Sequence, residues 1–241
     1  MNTNMNFDAN GNFIETKAVS RDSAKTFVAQ VFSWMFGALL VTAALAYVFA
    51  NSSLITMMIN PETFRPTPFY WIAAFSPIII IFAMGAGVER FSMGVMVGLF
   101  ALYSALMGVS LSVIFLVFDP IMIVKAFGLT AGTFGIMAVL GYTTKADLSR
   151  FGTIMMMGVV GIVIASIINY FMDSSQLAWI IDIVCLVVFT GLVAFKMQVI
   201  RQYGETYGTS QPKMAVFMAL TLYITFINLF LTILRLMGNR R

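Results

Sequence analysis

The sequence predicts an all-α membrane protein of seven transmembrane helices, on three observations. Of its 241 residues, 60% are hydrophobic and 10% are charged, whereas soluble domains carry about 25% charge. Mean hydropathy is +0.93, so one soluble core cannot hide the apolar side chains. Finally, the apolar residues fall into seven runs, each close to the ~20 residues that a helix needs to cross hydrocarbon.

The runs divide the chain into a polar N-terminal tail, residues 1–26, and a transmembrane domain, residues 27–241. The first run is Phe27 to Ala50. The second, Phe69 to Val88, is ended by Glu89 and Arg90, and the third, Phe91 to Phe118, by Asp119-Pro120. The fourth spans Ile121 to Thr144, with Lys125 near enough to its start to snorkel. The fifth is Thr153 to Met172. The sixth, Leu177 to Ile200, contains Asp182 and Lys196, and the seventh is Met214 to Met237. The longest connections are Asn51 to Pro68, whose LITMMIN stretch suits the membrane interface, and Arg201 to Lys213. Neither could house a soluble catalytic domain. The first 25 residues are polar and carry both signs of charge, so they do not read as a signal peptide.

Formal charge is only +4, which argues against a nucleic-acid partner and makes the positions of the cations the informative feature. With the N-terminus cytoplasmic, nine cations fall inside: Lys17, Arg21, Lys25, Arg90, Lys145, Arg150, Lys196, Arg201 and Lys213. Only Arg65 and Lys125 fall outside before the last helix. The basic end, RLMGNRR, opposes this vote, because seven crossings send it outward.

Small residues recur four apart at Gly94 and Gly98, at Ser104, Gly108 and Ser112, and at Gly128 and Gly132, with Gly158 and Gly161 following. Such spacing lets helices approach closely in lipid, where burial gives no drive for association.

The chain has no histidine and one cysteine, Cys185 in an apolar run. That removes His-ligated zinc, Ser-His dyads, histidine pH switching and an internal disulfide. There is no HExxH, P-loop or dinucleotide fingerprint, and no pair of intramembrane aspartates. The expectation is a non-enzyme without a cofactor.

What remains is polar residues inside apolar helices. Thr221, Thr225, Asn228, Thr232 and Arg235 recur at alternating intervals of 4 and 3, which is one face of the last helix. Two readings stand: side chains that hydrogen-bond neighbouring helices, or the lining of a polar path at the bundle centre. In the sixth run Asp182 and Lys196 are 14 apart. They face nearly the same way but sit roughly 21 Å apart along the axis, so they cannot pair. A charge at a helix centre costs about 2.5–3.5 kcal/mol on insertion scales, so each needs water or a partner. Asp182 can reach outer water, and Lys196 can snorkel inward or face the polar stripe.

Four stretches carry a resemblance: LYSALMGVSLSVIF (Leu102 to Phe115), GYTTKADLSRFG (Gly141 to Gly152), TGLVAFKMQVI (Thr190 to Ile200) and ALTLYITFINLFLTILRLMGNRR (Ala219 to Arg241). Together they resemble the transmembrane Bax inhibitor motif family in its bacterial branch. The resemblance implies a bacterial inner-membrane protein of seven helices, with the C-terminal one central and surrounded by the other six in two groups of three. It also implies a calcium leak gated by pH through two aspartates that share a proton, with Ca²⁺ and H⁺ as permeant or sensed ions. Lys196 stands where the family pattern expects the first aspartate, in FKMQVI, and Thr225 where it expects the second, in LYITFINLF. Arg90 loosely matches a basic residue that latches the pair. Replacing two carboxylates by one ammonium and one hydroxyl changes the local charge by up to +3, which repels Ca²⁺ in a low-dielectric path. It also removes the carboxylates that would titrate. The expectation is therefore a weak calcium leak or none, without pH gating. A second class, a regulator of a membrane-protein partner that docks through the polar tail, is also open.

Overall fold

The computed structural model describes residues 21–63 and 65–238, together with Asn6–Phe7 and Phe13–Ile14, which pair as antiparallel strands β1 and β2. The rest of the tail, including Lys17, and the last three residues, including Arg240 and Arg241, lie outside the described residues.

Helices follow in the order α1 (Arg21–Ala50), α2 (Pro68–Gly87), α3 (Met93–Leu111), α4 (Ile114–Val117), α5 (Pro120–Thr143), α6 (Ser149–Met172), α7 (Ser175–Tyr207) and α8 (Pro212–Gly238). Seven spans are long and apolar enough to cross a membrane, α3 and α4 counting as one, Met93–Val117. The chain is an integral membrane protein.

Local chemistry starts these helices. Thr67 accepts a hydrogen bond from the Tyr70 amide ahead of Pro68, and Asp119 accepts one from the Ile121 amide ahead of Pro120. Ser92 and Ser174 cap α3 and α7 in the same way. Each cap satisfies an amide that the first helical turn leaves open, and proline takes the position that needs no donor. The α6–α7 turn is closed by Asp173 in the left-handed region, φ 48°.

The helices extend past the apolar runs. α1 begins at Arg21, and α7 continues to Tyr207 through residues expected to be a loop. Hydropathy marks where lipid ends, whereas hydrogen bonding and packing decide where a helix ends. The 3₁₀ turns Ser53–Met57 and Gly208–Ser210 lie within what remains of the two long connections.

α8 is the centre. In its most apolar stretch 72% of residues are buried, against 6% in α6. It packs on α1, α3, α5 and α7. α1, α2 and α3 form one group of three and α5, α6 and α7 the other, with α2 outside α3 and α6 outside α7. The groups meet through α1 on α7 and through α8.

Spacing of small residues misleads about where helices touch. A Cβ on Gly108 would meet the Thr42 carbonyl at 2.7 Å, so α1 and α3 are in close approach there. At Gly141, which the spacing does not single out, a Cβ would collide with the Ala194 carbonyl, so α5 and α7 are in close approach there. Gly98, Gly128, Gly132 and Gly161 meet nothing within 4 Å, and Gly94 meets only the nearby Ser92. These five do not mediate contacts within the bundle. Periodicity puts residues on one face but does not say whether that face meets protein or lipid.

Candidate ion-path site between α7 and α8

A buried polar node fixes the bundle beside the site. Thr42 donates its one hydroxyl proton to the Ser104 carbonyl at 2.8 Å. It therefore accepts from the Tyr223 hydroxyl at 2.7 Å, tying α1, α3 and α8 together. Phe100 and Tyr103 pack edge-on against the Tyr223 ring. Pairing satisfies each hydroxyl in a place without water.

α7 and α8 are joined by a short turn and run antiparallel, so their facing residues follow a fixed register. Lys196 Nζ donates to the Thr221 carbonyl at 2.7 Å. The Thr225 hydroxyl donates to that same oxygen at 2.9 Å. The two positions that stand in place of the expected acids thus converge on one backbone acceptor. Thr225 is buried and Lys196 partly buried. The described ion pairs are Arg201 with Glu205 and Asp182 with Arg235, which leave Lys196 without a carboxylate. Lys196 lies about three helical turns from the end of α7 and turns toward α8 instead of snorkelling to the interface.

The same register pairs the other intramembrane charge. Asp182 lies 14 residues before Lys196, and Arg235 lies 14 after Thr221. Arg235 Nε accordingly donates to Asp182 Oδ1 at 2.8 Å. The carboxylate is 8% exposed and the guanidinium 47%, at a cavity of about 530 Å³ that Asp119 also lines. Asp182 thus meets Arg235 instead of the outer water that the sequence suggests, and the equal separations give this pair once the Lys196–Thr221 contact is known.

The remaining stripe residues bond within their own helix. Thr221 donates to the Met218 carbonyl, Asn228 to that of Ile224 and Thr232 to that of Asn228. Arg90 is exposed in the turn after α2, and no described bond joins it to Lys196 or Thr225. That turn is held instead by Lys213, which donates to the Glu89 and Phe91 carbonyls at 3.1 and 3.0 Å.

Sequence spacing also gave no hint of Gln198 and Arg201. Gln198 donates to the Ala146 carbonyl and accepts from the Leu148 amide. Arg201 Nη1 donates to the Tyr142 and Thr144 carbonyls at 2.5 and 3.2 Å. They clamp the α5–α6 loop onto α7, next to the close approaches at Gly141 and Gly152. In that loop Asp147 accepts from the hydroxyl and amide of Ser149, which holds its carboxyl below the usual range, and Arg150 adds to the effect. Among the described residues, no group of three or more His, Cys, Asp and Glu could hold a metal ion.

The four stretches that prompted the resemblance therefore touch one another around α7 and α8. The family model described as "Inhibitor of apoptosis-promoting Bax1" matches residues 24–241. The chain belongs to this Bax inhibitor family. Among similar Bax inhibitor relatives is the "Inner membrane protein YbhL" of Escherichia coli, 40% identical over 225 residues, covering 92% of this chain and 94% of that one. An uncharacterized protein of Borreliella burgdorferi is 39% identical over 218 residues, covering 89% and 92%. One of Deinococcus radiodurans is 32% identical over 228 residues, covering 94% and 95%.

Proposed function

We propose that this Bax inhibitor protein is a leak-type ion channel, placed in a bacterial inner membrane with its N-terminus cytoplasmic. Its central path is held shut by a fixed cation. It catalyses no bond chemistry and needs no cofactor. The observation that carries this reading is the convergence of Lys196 Nζ and the Thr225 hydroxyl on the Thr221 carbonyl, 2.7 and 2.9 Å away. An ammonium in a low-dielectric path repels Ca²⁺, and its hydrogen bond to the backbone of α8 ties the sixth span to the seventh. Without a carboxylate pair at these positions, mild acidification has no proton to deliver there.

The test is calcium flux into proteoliposomes at neutral and mildly acidic pH. The chain as it stands is expected to leak weakly or not at all, with no pH dependence. Lys196→Asp combined with Thr225→Asp is expected to give a leak that changes with pH. A robust pH-dependent leak from the unchanged chain would sink the proposal.

One observation favours the second reading, a regulator of a membrane-protein partner without conductance. The stripe hydroxyls and Asn228 return their protons to α8 itself, which is how packing residues behave. Deleting the polar tail separates the two. A regulator loses its effect on the partner, whereas a channel keeps its flux.

A further inference from the structure

A cavity of about 240 Å³ opens at the end of the bundle opposite the Asp182–Arg235 pair, lined by Arg21 and Lys25 of α1, Tyr142 of α5, and Arg201 and Glu205 of α7. α7 packs against both α1 and α5 and lends the cavity two of its lining residues. Three cations face one carboxylate. Arg21 and Lys25 are exposed, and neither takes part in a described ion pair. Arg201 is held rigidly by the Tyr142 and Thr144 carbonyls through Nη1. Its Nε is buried without a hydrogen-bond partner among the described residues, and the Glu205 carboxylate stays 3.6 Å away. A fixed guanidinium beside two exposed cations outweighs the single Glu205 carboxylate, and such a cluster suits an oxyanion such as a phosphate.

The position identifies the source of the phosphate. Lys25 lies just before the first apolar run, Tyr142 at the end of α5, and Arg201 just after the sixth run, so the cavity sits where hydrocarbon gives way to water. One turn deeper than Tyr142 on α5, Val139 is 62% exposed, an apolar wall leading from the cations into the bilayer. A free phosphate has no use for that wall, whereas an acyl chain does.

We propose that this cavity binds the headgroup of an anionic phospholipid, with its phosphate among Arg21, Lys25 and Arg201 and its acyl chains running down α5. The proposal is independent of whether the chain conducts ions.

The test is binding of short-chain phosphatidylglycerol to the full chain in non-ionic detergent, followed by native mass spectrometry and by thermal stabilisation. Short-chain phosphatidylcholine and inorganic phosphate serve as comparison ligands. Phosphatidylglycerol is expected to bind and raise the unfolding temperature, and phosphatidylcholine to do neither. Arg21→Gln with Lys25→Gln removes two exposed cations and is expected to weaken binding by about tenfold or more. Glu205→Gln removes the competing carboxylate and is expected to tighten binding, a direction that misfolding cannot mimic. Unchanged phosphatidylglycerol affinity in the double variant overturns the site. Inorganic phosphate that binds as tightly as phosphatidylglycerol, with the same loss in the double variant, overturns the lipid assignment.

Discussion

Asp182 and Lys196 sit on the same helix, face the same neighbour and obey the same register, yet they are treated differently. Asp182 meets a guanidinium 2.8 Å away that is itself half in contact with the outside. Lys196 meets only a backbone carbonyl. The first is a compensated charge that joins α7 to α8. The second is a charge held by dipoles, the less stable arrangement in a dry interior. A fold selected only for stability would have no reason to keep an ammonium there, and this contrast is what the proposed channel reading of Lys196 rests on.

The largest expected effect tests the structural half of that contrast. Arg235→Met leaves a buried carboxylate without its partner and is expected to cost on the order of 3 kcal/mol, read as a lowered unfolding temperature in detergent. Restoring opposite charges with Asp182→Arg plus Arg235→Asp is expected to recover part of the loss. If Arg235→Met unfolds like the unchanged chain, the outer pair is no staple and the contrast collapses.

Lys196→Met is expected to go the other way, leaving stability unchanged or raising it by about 1 kcal/mol, since it removes a charge that no carboxylate offsets. The same thermal measurement serves. A large destabilisation would show that the carbonyl contact is a structural bond after all.

Thr225→Val should be smaller still, within about 0.5 kcal/mol. Its hydroxyl only returns a proton to its own helix, and Thr221 keeps Lys196 as a donor.

Least of all is expected from Asp147. Its carboxyl titrates below the ordinary value near 3.9. Whatever stability its ionised form contributes is present above that value and lost only as pH falls through the lowered one. Asp147→Asn should therefore leave any response between neutral and mildly acidic pH unaltered. A pH response of the unchanged chain that vanishes in this variant would place a sensor in the α5–α6 loop.

The contrast also shows what could be read from the sequence. Number, order and approximate position of the spans follow from hydropathy, because lipid imposes a length on every crossing. The central place of α8 came from the family resemblance, and its polar face, open to two readings by itself, agrees with it, since a helix packed on protein need not be apolar all round. The Asp182–Arg235 pair follows from the antiparallel register only once the contact of Lys196 with Thr221 is known, its partners lying 14 residues from those two. The contact of Lys196 itself was not legible. Its acceptor is a backbone oxygen, and every residue has one. Nor could spacing distinguish Gly108, which admits the α1 backbone, from Gly128, which meets nothing within 4 Å. The carbonyl clamps of Gln198 and Arg201 escaped for the same reason as the Lys196 contact.

The burial of α8 bears on how the molecule is made. Six spans leave the ribosome before the one around which they pack, so two three-helix groups must persist in the bilayer with their common surface unmatched. Tyr223 reaches Thr42 only after about 180 intervening residues have been threaded. A chain that stops before Pro212 would not be a smaller version of this protein. It would be two half-shells around nothing, with the hydroxyl of Thr42 bonded to Ser104 but never reached by the Tyr223 donor.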